Sequence, residues 1–141
     1  MNHAEISLTA TRLKSQKSQN RNERILDIIF DATCEVSGLA KGSIIGKSRY
    51  NGGRWGCEKP VTPFIADYRH IAMYLTDKYT QWKDGEIAPK FNRERTANIW
   101  VRNKIDDMYR VYLKRGYKHE LLDKLEKVEK LVQKTLSLEK L

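Results

Sequence analysis

Long apolar runs are absent from the sequence: none approaches the ~20 residues that a membrane-spanning helix requires, and residues 1–22 lack the apolar segment of a secretory signal. We therefore expect a cytoplasmic protein with no membrane partner. Cysteine is scarce too, since Cys34 and Cys57 stand alone without the spacing of metal ligands. This predicts two reduced thiols and no metal site, with a single disulfide as the alternative.

Two further signals are missing. No segment of useful length alternates apolar and polar residues with the period of two that marks a strand, which favours an all-α fold. No nucleophile, acid–base pair or ligand cluster stands out either, and His70 and His119 have no neighbours that suggest a metal or a catalytic base. We expect a protein that is not an enzyme and carries no cofactor.

Positive charge is abundant. Lys and Arg number 27 against 18 Asp and Glu, which gives a formal net charge of +9. Such an excess fits a polyanionic partner, either nucleic acid or an anionic membrane surface, and says nothing about fold. The 141 residues are 40% hydrophobic, enough for one domain with a modest core.

The first half of the chain changes pattern twice. Residues 1–20 are rich in Ser, Gln, Asn and Lys and are predicted to form a flexible basic arm. From Asn22 apolar residues recur every three or four positions, which predicts a helix that stops near Gly38. A short helical turn is expected at 43–45. The stretch "GKSRYNGGRWGCEKPVTP" then has four glycines and two prolines, and predicts a long loop without regular structure.

The second half contains three further helical patterns. An apolar stripe follows Pro63, which is acceptable in a first helical turn. A short segment carries Ile87 and Phe91 and is shortened or kinked by Pro89. The "FNRE" turn, in which Asn92 is a candidate N-cap, leads into a long helix. Trp82 and Trp100 are interpreted as packing residues, and Trp55 as an anchor of the loop.

The long helix has two distinct faces at about 100° per residue. Its predicted buried stripe is Ala97, Val101, Ile105, Met108 and Tyr112, and its predicted outward residues are Arg95, Thr96, Ile99, Asn103 and Arg110. Arginine can bind guanine, threonine and asparagine can bind base edges, and an aliphatic group can contact a thymine methyl. An ordinary solvated face with one stray isoleucine is the alternative. Because a short helix precedes it across a tight turn, the layout indicates a helix-turn-helix.

The sequence also resembles a known family. "RHIAMYLTDKY" followed by "EIAPKFNRERTANIWVRNKI" is similar to the C-terminal DNA-binding domain of the bacterial replication initiator DnaA, whose signature is close to "GGRDHSTVLHAVRKI". The upstream "SGLAKGSIIGKSR" is similar to the family's "GVSVEDLLGKSR", and the pieces occur in the family's order over about residues 22–112. "GSIIGKS" has three residues between its glycines where a P-loop needs four, so no ATPase is expected.

The resemblance implies a bacterial, sequence-specific binder of double-stranded DNA, with a role in replication initiation or transcription regulation. It implies a helix-turn-helix domain of about five helices over 21–115, between the flexible basic arm that composition predicts over 1–20 and the long amphipathic C-terminal helix that the apolar stripe predicts over 116–141. The candidate DNA-binding residues are Lys47, Arg49, Arg54, Arg69, Arg93, Glu94, Arg95, Thr96, Asn98, Ile99 and Lys104.

Three positions depart from the family's pattern. Arg95 and Ala97 replace family residues at positions that contact bases, so the family's target sequence is not assumed. Asp67 stands near the position of a minor-groove arginine, where a carboxylate would repel phosphate. We expect Arg49 or Arg54 of the longer loop to take over that contact.

The last helix allows two interpretations. Leu121, Leu125, Val128 and Val132 form a stripe that either folds back onto the first helix or pairs two chains as a homodimer. The fold-back is the favoured interpretation. The alternative function from another class is an adaptor that recruits a protein through this helix and binds nucleic acid, including RNA, only non-specifically.

Overall fold

The computed structural model describes the backbone of residues 3–46, 50–51, 54–55 and 62–141, and the side chains of 17–46 and 62–141. Its elements are α1 (His3–Ser37), α2 (Lys41–Ile45), β1 (Tyr50–Asn51), β2 (Arg54–Trp55), α3 (Pro63–Tyr79), α4 (Asp84–Ile87), a 3₁₀ helix (Ala88–Phe91), α5 (Arg95–Arg115) and α6 (Glu120–Leu138). The predicted all-α fold is confirmed. Across the described ranges, no helix is both long enough and apolar enough to span a membrane.

Helix α1 begins much earlier than the sequence analysis predicts. The stretch predicted to be a flexible arm, from His3 onward, is helical and continuous with the helix predicted from Asn22. The reason lies in the composition: no glycine or proline occurs before Gly38, and the Gln, Lys, Arg and Leu of the arm are good helix formers. Gly38 ends the helix as predicted, with a left-handed φ of 74° that suits glycine.

The core lies between α1, α3 and α6, which contact one another. The stripe of α6 is buried, with Leu125, Val128 and Val132 fully inaccessible to solvent. At the far end of α6, Glu139 accepts a hydrogen bond of 2.7 Å from Arg24 of α1. The fold-back is therefore confirmed. The stripe is not available to a homodimer or to an adaptor's partner, because it is already covered within the same chain.

The glycine-rich segment contains more order than the predicted loop without regular structure. Tyr50–Asn51 and Arg54–Trp55 pair as two short antiparallel strands, with Tyr50 opposite Trp55. In the sequence two glycines separate them, and Gly-Gly is a pair typical of two-residue hairpin loops. The predicted DNA contacts of this segment, which are Lys47, Arg49 and the side chain of Arg54, lie outside the described residues, as does Cys57. Cys34, on α1, is a free, half-buried thiol.

The predicted pair of helices is present, and its first member is short. α4 ends at Ile87 and the chain continues as the 3₁₀ helix, which holds Pro89 in its first turn. This confirms the effect expected of Pro89. The predicted N-cap is wrong: Asn92 adopts a left-handed φ of 52° in the turn, and Glu94 takes the N-cap position of α5. The side-chain amide of Asn92 instead donates a hydrogen bond to the carbonyl of Gly46.

Candidate nucleic-acid interface

The first three turns of α5 present polar side chains to solvent. Arg95, Thr96 and Asn103 are exposed, and Ile99 is half-buried among them. We call these four residues the outward face. On the opposite side Val101 and Ile105 are buried and Ala97 and Met108 pack against the core, as predicted, whereas Tyr112 is 37% exposed. The arrangement places a cation, two hydrogen-bonding side chains and one aliphatic group next to each other.

Asn98 does not belong to the outward face. It is only 1% exposed, and its Nδ2 donates a hydrogen bond of 2.7 Å to Oδ1 of Asp84 at the start of α4. The same carboxylate accepts a hydrogen bond of 2.7 Å from Nη1 of Arg102. The proposed contact of Asn98 with DNA is therefore corrected. A buried amide needs a partner, and here the partner fixes α5 against α4.

The carboxylate of Asp84 is stabilised in its charged form. Burial alone would raise its pKa, but the hydrogen bonds from Arg102 and Asn98 outweigh burial and hold the pKa below its ordinary value. An open groove of about 610 Å³ lies beside this network and is bordered by Arg95 and Ile99 of the outward face. The charged network thus orients the start of α5 without covering its outward face.

Arg69 and Arg93, which were predicted to contact DNA, are also buried, at 4% and 5% exposure. The Arg69 guanidinium donates to the carbonyls of Ile44 (2.8 Å) and Ser43 (2.9 Å) at the end of α2. Arg93 donates to the carbonyl of Asn92 at 3.0 Å. Carbonyls at helix ends and in tight turns attract cations. Arg69 therefore connects α3 to the end of α2, and Arg93 stabilises the turn before α5. Neither side chain is placed for direct contact with DNA.

The turn before α5 is tied to the end of α2. Nδ2 of Asn92 donates a hydrogen bond of 2.8 Å to the carbonyl of Gly46. Gly46 is followed in the sequence by Lys47, the first basic residue of the glycine-rich segment. This contact and the hydrogen bonds of Arg69 fix the end of α2 relative to the start of α5. They therefore also fix the point from which the glycine-rich segment begins.

A cluster of three side chains lies at the edge of the outward face. Trp100 is 57% exposed, so its predicted packing role is wrong, whereas Trp82 is 6% exposed and is a packing residue as predicted. The ring of His70 lies edge-on to Trp100 at 5.4 Å between centroids. Lys104 Nζ is 3.1 Å from Nδ1 of His70 and 5.1 Å from the centre of the Trp100 ring. We call His70, Trp100 and Lys104 the flank cluster.

Burial and positive charge determine the protonation of the flank cluster. Burial, and next the charge of Lys104, lower the pKa of His70 to about 4. Burial also lowers the pKa of Lys104. An ammonium group has only donors, so Nδ1 of His70 accepts and the imidazole is neutral. Lys104, a predicted DNA-binding residue, is thereby held at a defined position beside Trp100.

Asp67 has a partner within the protein. Its Oδ2 is 3.2 Å from Nζ of Lys124 on α6, and Lys124 also lies over the rings of Phe64 and Tyr68. The carboxylate that was expected to repel DNA is therefore partly neutralised. Nothing in the described side chains places a cation of α3 in the role that the family gives to its minor-groove arginine.

No protein-family model matches the chain, and no curated protein matches it. Function is therefore inferred from the geometry and from the sequence motifs. The geometry brings together Glu94, Arg95, Thr96 and Ile99 of the predicted site, with Lys104 at the edge, and it removes Arg69, Arg93 and Asn98 from the surface. Sequence reasoning missed Trp100, although its angle on the helical wheel, between Thr96 and Lys104, points away from the buried stripe.

Acidic residues lie both beside the outward face, where Asp77, Asp84 and Glu86 line the groove that Arg95 borders, and along α1. Glu23, Asp27, Asp31 and Glu35 are exposed and recur every four positions on α1, which places them along one face. Within the described residues α1 does not contact α5, and α3 contacts both helices. The acidic residues of α1 therefore belong to a helix that does not adjoin the outward face.

Proposed function

We propose that this protein binds double-stranded DNA, with the start of α5 entering the major groove as the second helix of a helix-turn-helix. The observation that carries the proposal is the outward face: Arg95, Thr96 and Ile99 are accessible side by side, while Asn98 and Asn92 fix the same helix from behind. A rigid helix with polar side chains toward solvent is what base recognition in the major groove requires.

The proposal includes a relationship to the DNA-binding domain of DnaA without its ATPase. The order of the motifs supports the relationship, and the short α4 with its 3₁₀ extension and the longer α5 are compatible with it. The residues at 95 and 97 differ from the family's, so we expect a different target sequence. Selection of bound duplexes from a random pool would identify that target and distinguish a role in replication from one in gene control.

Binding to DNA is expected to weaken steeply with salt. Each phosphate that a Lys or Arg neutralises releases a counterion, so log affinity should fall with log salt with a slope of about −0.9 per contact. Fluorescence anisotropy of a labelled duplex, titrated between about 50 and 200 mM salt, measures the slope. Absent or salt-insensitive duplex binding, together with capture of a protein by the full chain, would contradict the proposal and favour the adaptor.

Replacing Arg95 or Thr96 with alanine is expected to weaken binding to the selected target by roughly 2 kcal/mol, with a smaller effect on random duplexes. The physical reason is the loss of a hydrogen bond to a base edge. The matched control is Arg115→Ala, which removes an exposed arginine at the other end of the same helix, about 30 Å away at 1.5 Å per residue. Equal losses for all three variants on both kinds of DNA would exclude base recognition by the outward face.

A further inference from the structure

Trp100 continues the outward face toward α3. Thr96, Trp100 and Lys104 are spaced four residues apart and therefore lie along one ridge of α5. Trp100 is 57% exposed, so more than half of its surface can contact a ligand. Since Thr96 belongs to the outward face, a helix placed in a groove would bring Trp100 and Lys104 toward one wall of that groove.

The Lys104 ammonium is fixed in place before any ligand arrives. One of its three N–H groups is used by Nδ1 of His70, at 3.1 Å, and the charge lies 5.1 Å from the centre of the indole ring. A lysine side chain normally loses considerable rotamer freedom when it is immobilised. Here His70 and Trp100 already restrict it, and two N–H groups remain for an acceptor.

The Trp100 indole offers a second donor beside that ammonium. Among the residues whose side chains the structure describes, none accepts a hydrogen bond from the indole N–H. An indole can only donate, so its exposed N–H is free to exchange water for an acceptor of a ligand. An ammonium 5.1 Å from the centre of an indole ring that carries its own N–H suits a phosphate oxygen and the deoxyribose next to it.

We propose that Trp100 and Lys104 together bind one backbone phosphate of the DNA strand on the α3 side of α5, with His70 as the positioning residue for Lys104. This inference rests on the proposed function. A base is a poorer candidate for this contact, because bases in a duplex are read from the centre of the groove whereas phosphates line its walls. The flank cluster thereby fixes the register of α5, and the outward face selects the sequence.

Trp100→Phe tests the neutral donor. The variant keeps an aromatic ring next to Lys104 and removes the indole N–H together with the second ring. Loss of one hydrogen bond to a charged acceptor should weaken duplex binding by about tenfold, and the salt slope should stay unchanged because no charge is removed. The matched control is Tyr117→Phe, which deletes a neutral donor from a residue that is 64% exposed beyond the end of α5 and should bind like the wild type.

Lys104→Met and two His70 variants test the charged donor. Lys104→Met should weaken binding and make the salt slope shallower by about 0.9, whereas Lys130→Met, at an exposed position of α6, should change neither. His70→Leu should weaken binding severalfold because Lys104 loses its acceptor. His70→Gln should restore most of the affinity, since its side-chain oxygen can accept. A merely structural role of His70 would not distinguish these two variants once both are shown to be folded.

The outcomes separate this inference from the proposed function. Duplex binding that Arg95→Ala weakens but Trp100→Phe and Lys104→Met leave unchanged would overturn the phosphate contact and leave base recognition in place. A wild-type protein that binds no duplex would contradict both the phosphate contact and the proposed function. Urea unfolding of every variant, on the full chain, ensures that a loss of binding is not a loss of folding.

Discussion

Replacing Gly46 with alanine is expected to lower the free energy of unfolding by roughly 4 kcal/mol. Gly46 has φ 76° and ψ 179°, a combination that only glycine adopts without strain. A Cβ at this position would lie 2.6 Å from Nη2 of Arg69 and 2.9 Å from its Cζ. Arg69 cannot simply move aside, because its guanidinium is buried and bound to two carbonyls of α2.

Gly42→Ala is the matched control for this prediction. Gly42 lies within α2, and a Cβ there would meet nothing within 4 Å. Alanine is favoured over glycine inside a helix, so this variant should gain about 0.5–1 kcal/mol. Urea unfolding followed by circular dichroism measures both changes. A Gly46→Ala protein within about 1 kcal/mol of the wild type, below the usual strain of this conformation, would show that the end of α2 adapts freely.

The same substitution should also affect DNA binding. The carbonyl of Gly46 accepts the hydrogen bond of Asn92, which lies in the turn immediately before α5. A displaced Gly46 would release that turn and change where the start of α5 points. We expect the Gly46→Ala protein to lose affinity for its target under conditions in which it is still folded, whereas Gly42→Ala should bind like the wild type.

The helices themselves could be predicted from periodicity. The stripes of α3, α5 and α6 recur every three or four residues because each helix buries one side against the same core. Pro63 and Gly38 mark helix ends through their backbone chemistry, and the structure confirms both. α1 was predicted too short, because a polar segment without helix breakers can be helical or unstructured, and composition alone does not decide between them.

The candidate site could be predicted only in part. Exposure of Arg95 and Thr96 follows from their angle on one helix. The burial of Asn98 depends on Asp84, and that of Arg69 depends on the carbonyls of Ser43 and Ile44, 26 and 25 residues away in the chain. A polar side chain is buried where a partner meets it. No pattern within a single helix can reveal a partner that another element supplies.

The second large effect is a loss of folding stability at acidic pH. The folded protein is expected to lose roughly 3 kcal/mol of stability through His70 as the pH falls from 6.5 to 4, at about 1.4 kcal/mol for each tenfold change in proton affinity. Burial, and next the charge of Lys104, lower the pKa of His70 from 6.5 to about 4. The nearby Asp67 opposes this effect, while Arg69 and Arg93 add to it. Between pH 6.5 and 4, His70 therefore binds a proton in the unfolded chain but not in the folded chain.

Between pH 7 and 5 most carboxylates stay ionised, so this component can be isolated. Urea unfolding at pH 7, 6 and 5 should show a decline of about 2 kcal/mol in the wild type, and His70→Gln should remove most of it. His119→Asn, which can still cap α6 in place of His119, should leave the His70 component unchanged. A His70 resonance that titrates near 6.5 in the folded protein would contradict the predicted decline.

The same low pKa bears on the phosphate contact. Because folded His70 remains neutral down to about pH 4, its Nδ1 keeps accepting from Lys104 throughout the neutral range. DNA binding through the flank cluster should therefore be independent of His70 protonation between pH 8 and 6, even though the unfolded chain begins to titrate there. A rise in affinity over that interval that His70→Gln abolishes would mean that imidazolium itself binds the phosphate, and that Lys104 is held there by something other than His70.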